Sequence, residues 1–360
     1  MSTFFRMNLY RFVLLLGVTA MAGCESVAYL AQAVHGQGRL LLNGKPIIKI
    51  LQQAKTPQPL RRQLTAVQSI LDFAEQELAL PSGGSYRNYV ELNQSAVVYN
   101  VFATPALSLQ PRQWCFPVVG CVLYRGYFAA ADAREYASKL RQDGTDVFIG
   151  GAAAYSTLGW FDDPLLSTML NRSTADLAAL LFHELTHRRL YIKGQTQFNE
   201  SLATLVEHEG LRRWLLAHQQ ISRLAQYQKL WQRKTAVLQL IADYRIKLAT
   251  LYVGMNSDAS KRDKKKQLFA DLKMAYQKRF GQQSTGLGWW FSGALNNAAL
   301  LPVTAYNKLV PEFSQLLTKH KGDFIAFFNT LDRIAATGDP LTALHHQNTS
   351  SSGQVFSLYQ

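Results

Sequence analysis

The chain has 360 residues, 48% of them hydrophobic and 17% charged, with three cysteines and a formal charge of +14. Such a chain can bury a large core, which excludes a wholly disordered chain and a small disulfide-stapled module. No nucleic-acid recognition motif accompanies the positive excess, and the export signature at the N-terminus also argues against a nucleic-acid partner.

Residues 1–23 read as a signal peptide. Arg6 and Arg11 form a basic start, and Phe12 to Val18 is an apolar stretch too short for an ordinary membrane span. Met21-Ala22-Gly23-Cys24 resembles a bacterial lipoprotein box, so Cys24 is expected to become the lipidated N-terminus. Plain signal cleavage near the same place, giving a soluble periplasmic protein, is the alternative. Glu25 in place of Asp favours an outer-membrane lipoprotein facing the periplasm, held to the membrane by its lipid. Loss of Arg6 and Arg11 with the signal lowers the charge from +14 to +12.

The stretch 24–196 combines an N-terminal helical segment with a sheet-containing half. Leu60, Leu64, Val67, Ile70, Leu71 and Phe73 fit an amphipathic helix that ends before Pro81-Ser82-Gly83-Gly84. Val97 to Phe102, Cys121 to Phe128 and Val147 to Ile149 read as strands, with a helix from Ala131 to Leu140. In an oxidising compartment Cys115 and Cys121 are candidates for a disulfide closing a small loop through Pro117 and Gly120.

The next helix carries the chemistry. Ser173 and Asp176 form a capping pattern, and Leu177, Leu180, Leu181 and Leu185 recur at helical spacing. Within it lies His183-Glu184-Leu185-Thr186-His187, an H-E-x-x-H motif. Histidines at i and i+4 share one helix face, about 6 Å apart along the axis, so both rings can approach one ion. Glu184 lies about 100° round the helix, placed to hold a water rather than to ligate. Lys193 and Gly194 predict the helix stop, and a short turn then favours an antiparallel partner helix. On that geometry Glu200 sits about 4 Å along the axis from His187, within reach as a third ligand. The set His183, His187 and Glu200 predicts one zinc per chain with a fourth position left for water, and Glu184 as general base. Tyr155, His208 and Tyr306 are candidates for the oxyanion donor, each with packing or surface exposure as its alternative. Thr204 either holds a histidine ring or bonds its own helix backbone.

From 197 to 345 the chain reads as a helical half that supplies the third ligand, and 346–360 as a loose tail. Leu224 to Leu251, Leu268 to Phe280 and Leu309 to Leu341 are the long helical stretches, and Ser284 to Gly293 is a loop holding Trp289, Trp290 and Phe291. Asn296-Asn297 opens a helix that runs through Tyr306, as its cap or as a contact to substrate backbone. The run Lys261, Arg262, Lys264, Lys265 and Lys266 is a solvated face or a contact to anionic lipid or envelope polymer.

The segment Asn199-Glu200-Ser201-Leu202-Ala203-Thr204-Leu205-Val206-Glu207 resembles the N-E-G-F-A-x-x-x-E segment of the aminopeptidase N family, among the gluzincin metallopeptidases. The gap from His187 to Glu200 is shorter than in that family, and its G-A-M-E-N segment is missing. Most of the mature chain is more similar to a bacterial family named putative aminopeptidases, predicted lipoproteins with a zincin-like core. Cys115-Phe116-Pro117, the string Gly120 to Phe128, Ala154 to Phe161, Asp163-Pro164 and the block from H-E-L-T-H to N-E-S carry that likeness. The resemblance implies an α+β fold, predominantly α-helical, whose zincin-like core packs a small mixed sheet on the metal-binding helices. It also implies hydrolysis of a peptide or protein substrate. By analogy with zincins, Ala152 to Ser156 would be an edge strand that pairs with bound peptide, with an ordinary strand-to-loop transition as the alternative. The expected function is a zinc-dependent peptidase of the cell envelope. The alternative is a non-catalytic envelope lipoprotein serving as a scaffold or partner-binding module.

Overall fold

Apolar residues at three- and four-residue spacing build the first part of the chain. The structure, a computed structural model, describes residues 29–116, 120–157, 161–281, 283–305 and 307–349. The signal-like segment with Cys24, and Tyr306, lie outside the described residues. Residues 29–42 form α1. After β1 (Lys45–Pro46) and α2 (Ile47–Gln52) comes α3 (Gln58–Leu78). Leu64, Val67, Ile70, Leu71, Ala74 and Leu78 form its buried stripe, and Ala79 in the left-handed conformation ends it.

A strand-rich stretch follows: β2 (Asn88–Val90), β3 (Val98–Pro105), β4 (Trp114–Phe116), β5 (Gly120–Val122), β6 (Arg125–Tyr127), α4 (Ala130–Gln142), β7 (Thr145–Ala152), β8 (Leu165–Leu166) and α5 (Ser167–Leu170). Three small sheets result, ordered β1-β2-β8, β6-β3-β7 and β4-β5. The first is mixed, with β1 antiparallel and β8 parallel to β2. Cys121 to Phe128 is thus two strands rather than one. β5 pairs with β4 while β6 pairs with β3, so the chain changes sheets at Leu123-Tyr124. Cys115 and Cys121 are register partners across β4–β5 and are joined by a disulfide. Gly120, at φ +77°, lets this hairpin rest on the segment after the histidine helix: an added Cβ would come within 2.7 Å of Lys193 Cγ and 3.0 Å of the Gly194 nitrogen.

The remainder is helical: α6 (Thr174–Arg189), α7 (Thr196–Ala217), α8 (Ile221–Val253), α9 (Asp258–Phe280), α10 (Gly288–Ser292), α11 (Leu300–Ala305), α12 (Val310–Lys319), α13 (Phe324–Ala335) and α14 (Pro340–Thr349). The fold is therefore predominantly α-helical with small sheets. No helix among the described residues is long and apolar enough to cross a membrane. The predicted helix from Leu309 to Leu341 divides because Lys321 and Gly322 turn left-handed and Asp323 caps α13 through the amides of Ile325 and Ala326. α9 starts ten residues before Leu268, so the lysine run is helical. α10 lies in the stretch read as a loop, with Trp290 buried and its Nε1 donating to Ala299 O at 2.8 Å. α14 carries His345 to Thr349, so helix extends into the stretch read as a loose tail.

The main core joins α2, α3, α6, α7, α12 and α13 to the mixed sheet, with Tyr89, Val90, Leu165 and Leu166 packed among residues of α6 and α7. A second cluster binds α8, α9 and α10 through Val237, Ile241, Leu272, Trp290 and Phe291. A third lies between α4 and the β6-β3-β7 sheet.

Candidate metal centre

α6 starts where its sequence requires. Ser173 Oγ accepts from the Asp176 amide at 3.2 Å and donates to the Asp176 carboxylate at 2.7 Å. Its burial differs from a one-sided stripe. Leu177, Ala178, Leu181, Phe182, Leu185 and Thr186 are all buried, so α6 runs through the core with neighbours on nearly every side. It also stops at Arg189, before the predicted Lys193–Gly194 signal. The reason lies on the next helix. Asn199 takes both backbone groups of Ile192, accepting from its N at 2.9 Å and donating to its O at 2.8 Å. Those groups leave the helical ladder, and Gly194 (φ +77°) completes the turn into α7.

The two helices lie close. Gly210 of α7 faces Phe182 and Leu78, and a Cβ there would come within 2.8 Å of each. This approach brings the carboxylate of α7 to the imidazoles of α6. His183 Nε2 lies 3.4 Å, and His187 Nε2 3.6 Å, from Glu200 Oε2. The two rings are 5.0 Å apart and nearly perpendicular. One nitrogen from each ring and one carboxylate oxygen fall within 4.8 Å of one another, and all three residues are buried. Among the described residues no other trio of His, Cys, Asp or Glu meets that criterion.

The donor set fits a cation. Glu200 Oε2 is buried and takes no hydrogen bond, although two ring nitrogens face it. Burial pushes the Glu200 carboxyl up, but His187 and His183 outweigh it and hold it down at about 2. A buried anion without a hydrogen bond is costly unless a positive charge stands beside it.

A sequence model of the family described as Putative aminopeptidase matches residues 28–342. The chain belongs to this family. No curated protein and no solved structure matches it. The family match takes in the whole α6–α7 pair and the disulfide hairpin, while Cys24 lies before it.

Sequence reasoning left out three neighbours of the site. Glu207, seven residues beyond Glu200 and so on the same face of α7, holds His183 Nδ1 at 3.0 Å through Oε2. Burial raises its carboxyl, but the bond to His183 prevails and lowers it. Thr204, read as either a histidine contact or a helix-backbone contact, is buried on α7, while Glu207 holds His183 and His187 Nδ1 is buried without a partner. Glu207 stands in the quoted N-E…E segment, so its spacing was visible. If the trio holds a metal ion, replacing Glu207 with alanine should lower its affinity about 10- to 100-fold, measured by competition with a chelating dye.

Tyr124, at the sheet switch, is the second neighbour. Burial lifts its hydroxyl far above the usual value, and Glu200, Tyr191, Tyr155 and Glu184 lift it further. Tyr86 is the third, buried at φ +61°, its hydroxyl raised by burial and by Glu184 and Asp163. Glu184 itself is the one residue from Leu181 to His187 that keeps partial exposure. Burial around its carboxyl raises it, His183 and His187 offset part of the rise, and Glu200 and Asp163 add to it.

Tyr155 packs its ring 5.4 Å from Phe128, and burial lifts its hydroxyl to about 12. His208 turns to α8, with Nδ1 at 2.9 Å from Tyr227 Oη and its ring stacked 3.8 Å from Trp231, and burial pushes it down to about 4. Tyr306 lies outside the described residues. Asn296 and Asn297 serve the fold. Asn296 Oδ1 accepts from Ala299 N while its Nδ2 donates to Val147 O, and Asn297 Nδ2 reaches the carbonyls of Ala106 and Ser108. Ala152 to Ser156 is not a strand. β7 ends at Ala152, and the segment beyond is held by Thr168 Oγ1 on Ala153 O and by Asp163 on Ser156 and Thr157.

Proposed function

We propose that this protein is a zinc-dependent peptidase of the bacterial cell envelope. The observation that carries the reading is the convergence of His183, His187 and Glu200 beside the partly exposed Glu184. Two imidazoles and a carboxylate are the ligand set of catalytic zinc sites that keep an open position. Zinc held there supplies Lewis acidity and lowers the pKa of water to about 7. The family's description supports peptide bonds as the substrate, with aminopeptidase as the specific form it names.

The protein's own groups supply the rest. Glu184 takes a proton from the attacking water and delivers it to the leaving amine, a role suited to a carboxyl raised by its surroundings. Glu207 holds His183 in one tautomer and orientation. We propose Tyr124 as the oxyanion donor, a hydroxyl protonated at neutral pH that interacts electrostatically with both Glu200 and Glu184. Tyr124→Phe should then lower kcat about 100-fold while bound metal is unchanged, as seen by steady-state kinetics and elemental analysis of one preparation.

The localisation we propose is an outer-membrane lipoprotein facing the periplasm, anchored through Cys24. The Cys115–Cys121 disulfide supports an oxidising compartment. Purified protein should carry about one zinc per chain and lose peptide hydrolysis on chelation. Cleavage should also be compared on one peptide with a free and with an acetylated N-terminus. A requirement for the free amine supports an aminopeptidase, and equal cleavage makes the enzyme an endopeptidase. Absence of both metal and hydrolysis would overturn the reading.

A further inference from the structure

The α8–α9 hairpin holds most of the protein's net charge. Residues 221–280 contain fourteen lysines and arginines against four aspartates and no glutamate, a net +10 out of +14 for the whole chain. One of these cations is neutralised inside the fold: Lys265 Nζ meets Asp146 Oδ2 at 2.5 Å and Ala106 O at 2.8 Å, fixing the N-terminal half of α9 to the β3–β7 sheet.

The closed end of the hairpin is different in kind. Gly254 ends α8, and Ser257 caps α9 by accepting from the Ser260 amide. Between and beside them, Met255 is 104% exposed and Val253 85%. Two ammonium groups are drawn back onto this turn, Lys261 Nζ donating to Tyr252 O at 2.9 Å and Lys264 Nζ to Asn256 Oδ1 at 3.3 Å. Arg262 is exposed at the start of the second turn of α9. A solvated basic helix accounts for the charge. It does not account for two bare apolar side chains at the apex, beside a run in which Lys261, Arg262 and Lys264 stand with Asp258 and Asp263 and still leave a net positive charge.

We propose that the closed end of this hairpin docks on the anionic face of a phospholipid bilayer. Val253 and Met255 enter the boundary between headgroups and acyl chains, and Lys261, Arg262 and Lys264 meet headgroup phosphates. Charge complementarity selects an anionic partner. The apolar apex selects a bilayer over an anionic polymer, which offers no apolar interior.

The test uses the Cys24→Ser chain, which has no acylation site, in co-sedimentation with vesicles. Phosphatidylglycerol-rich vesicles should bind it, pure phosphatidylcholine should not, and binding should fall as salt rises. The triple variant Lys261→Gln, Arg262→Gln, Lys264→Gln should weaken binding about 100-fold, at about fivefold per cation. Val253→Ser with Met255→Ser should weaken it about tenfold at unchanged charge. Melting temperatures show whether the variants stay folded, and if either multiple variant melts early, Met255→Ser alone decides. No binding to anionic vesicles overturns the proposal. Binding that ignores the apex substitutions also overturns it, and marks the hairpin as a general polyanion surface.

Discussion

On the proposed zinc reading, Glu200→Gln should abolish metal retention without unfolding the protein. The amide has the shape of the carboxylate but neither its charge nor its affinity for zinc, so packing between α6 and α7 is kept. Structural zinc sites with four ligands bind with about 10–16 kcal/mol, which puts one ligand at about 3 kcal/mol. That is about a hundredfold in affinity. Elemental analysis after gentle desalting should therefore give far less than one zinc per chain, and added zinc should raise the melting temperature much less than in the parent protein. Glu200→Asp keeps the charge but withdraws the oxygen by one methylene, and its occupancy should fall between the two. Full occupancy in Glu200→Gln would mean that the third ligand is another group. The geometry makes that an unexpected result, because Oε2 stands 3.4 and 3.6 Å from the two ring nitrogens.

Much of this site was legible because it is local. A four-residue spacing on a capped helix fixes two rings on one face, and a short connector fixes the partner helix as antiparallel. What the sequence did not disclose depends on contacts far along the chain. The α6 stop was misplaced because Asn199 reaches back to Ile192, an interaction that no local signal announces. The strand at Cys121–Phe128 divides because its two halves have different partners, β4 and β3. Tyr124, which interacts electrostatically with Glu200, stands at that switch. Glu207 is an intermediate case. Its two-turn spacing from Glu200 was readable, but its partner on α6 could be named only once the crossing at Gly210 was known.

The same crossing explains how the fold can carry a costly site. His183, His187, Glu200 and Glu207 bring four polar groups between two helices that meet in the core, beside buried Leu181, Phe182, Leu185, Leu202, Leu205 and Val206. Such groups stay satisfied only through one another or through an ion. The connector that sets their register is held from both sides, by Asn199 on Ile192 and by the disulfide hairpin resting on Lys193 and Gly194. Rigid support of this kind is what a site needs when a displacement of about 1 Å can cost about a hundredfold in rate.

Glu184→Gln separates chemistry from metal binding and should give the largest loss of turnover. Glu184 follows His183 directly, so its side chain leaves the helix about 100° away from the ligand face. It keeps partial exposure where the neighbouring residues are sealed, so a water can reach it. The glutamine has the same size and a similar hydrogen-bonding reach but cannot take a proton. Removing a general base of this type costs about 100- to 10,000-fold in rate, or about 3–5 kcal/mol of barrier. The fall should appear in kcat, with zinc content and melting temperature equal to those of the parent. Loss of metal in this variant would instead make Glu184 a ligand. Retained turnover at full occupancy would give the proton transfer to another group, and the raised carboxyl of Glu184 would then be only a consequence of its burial.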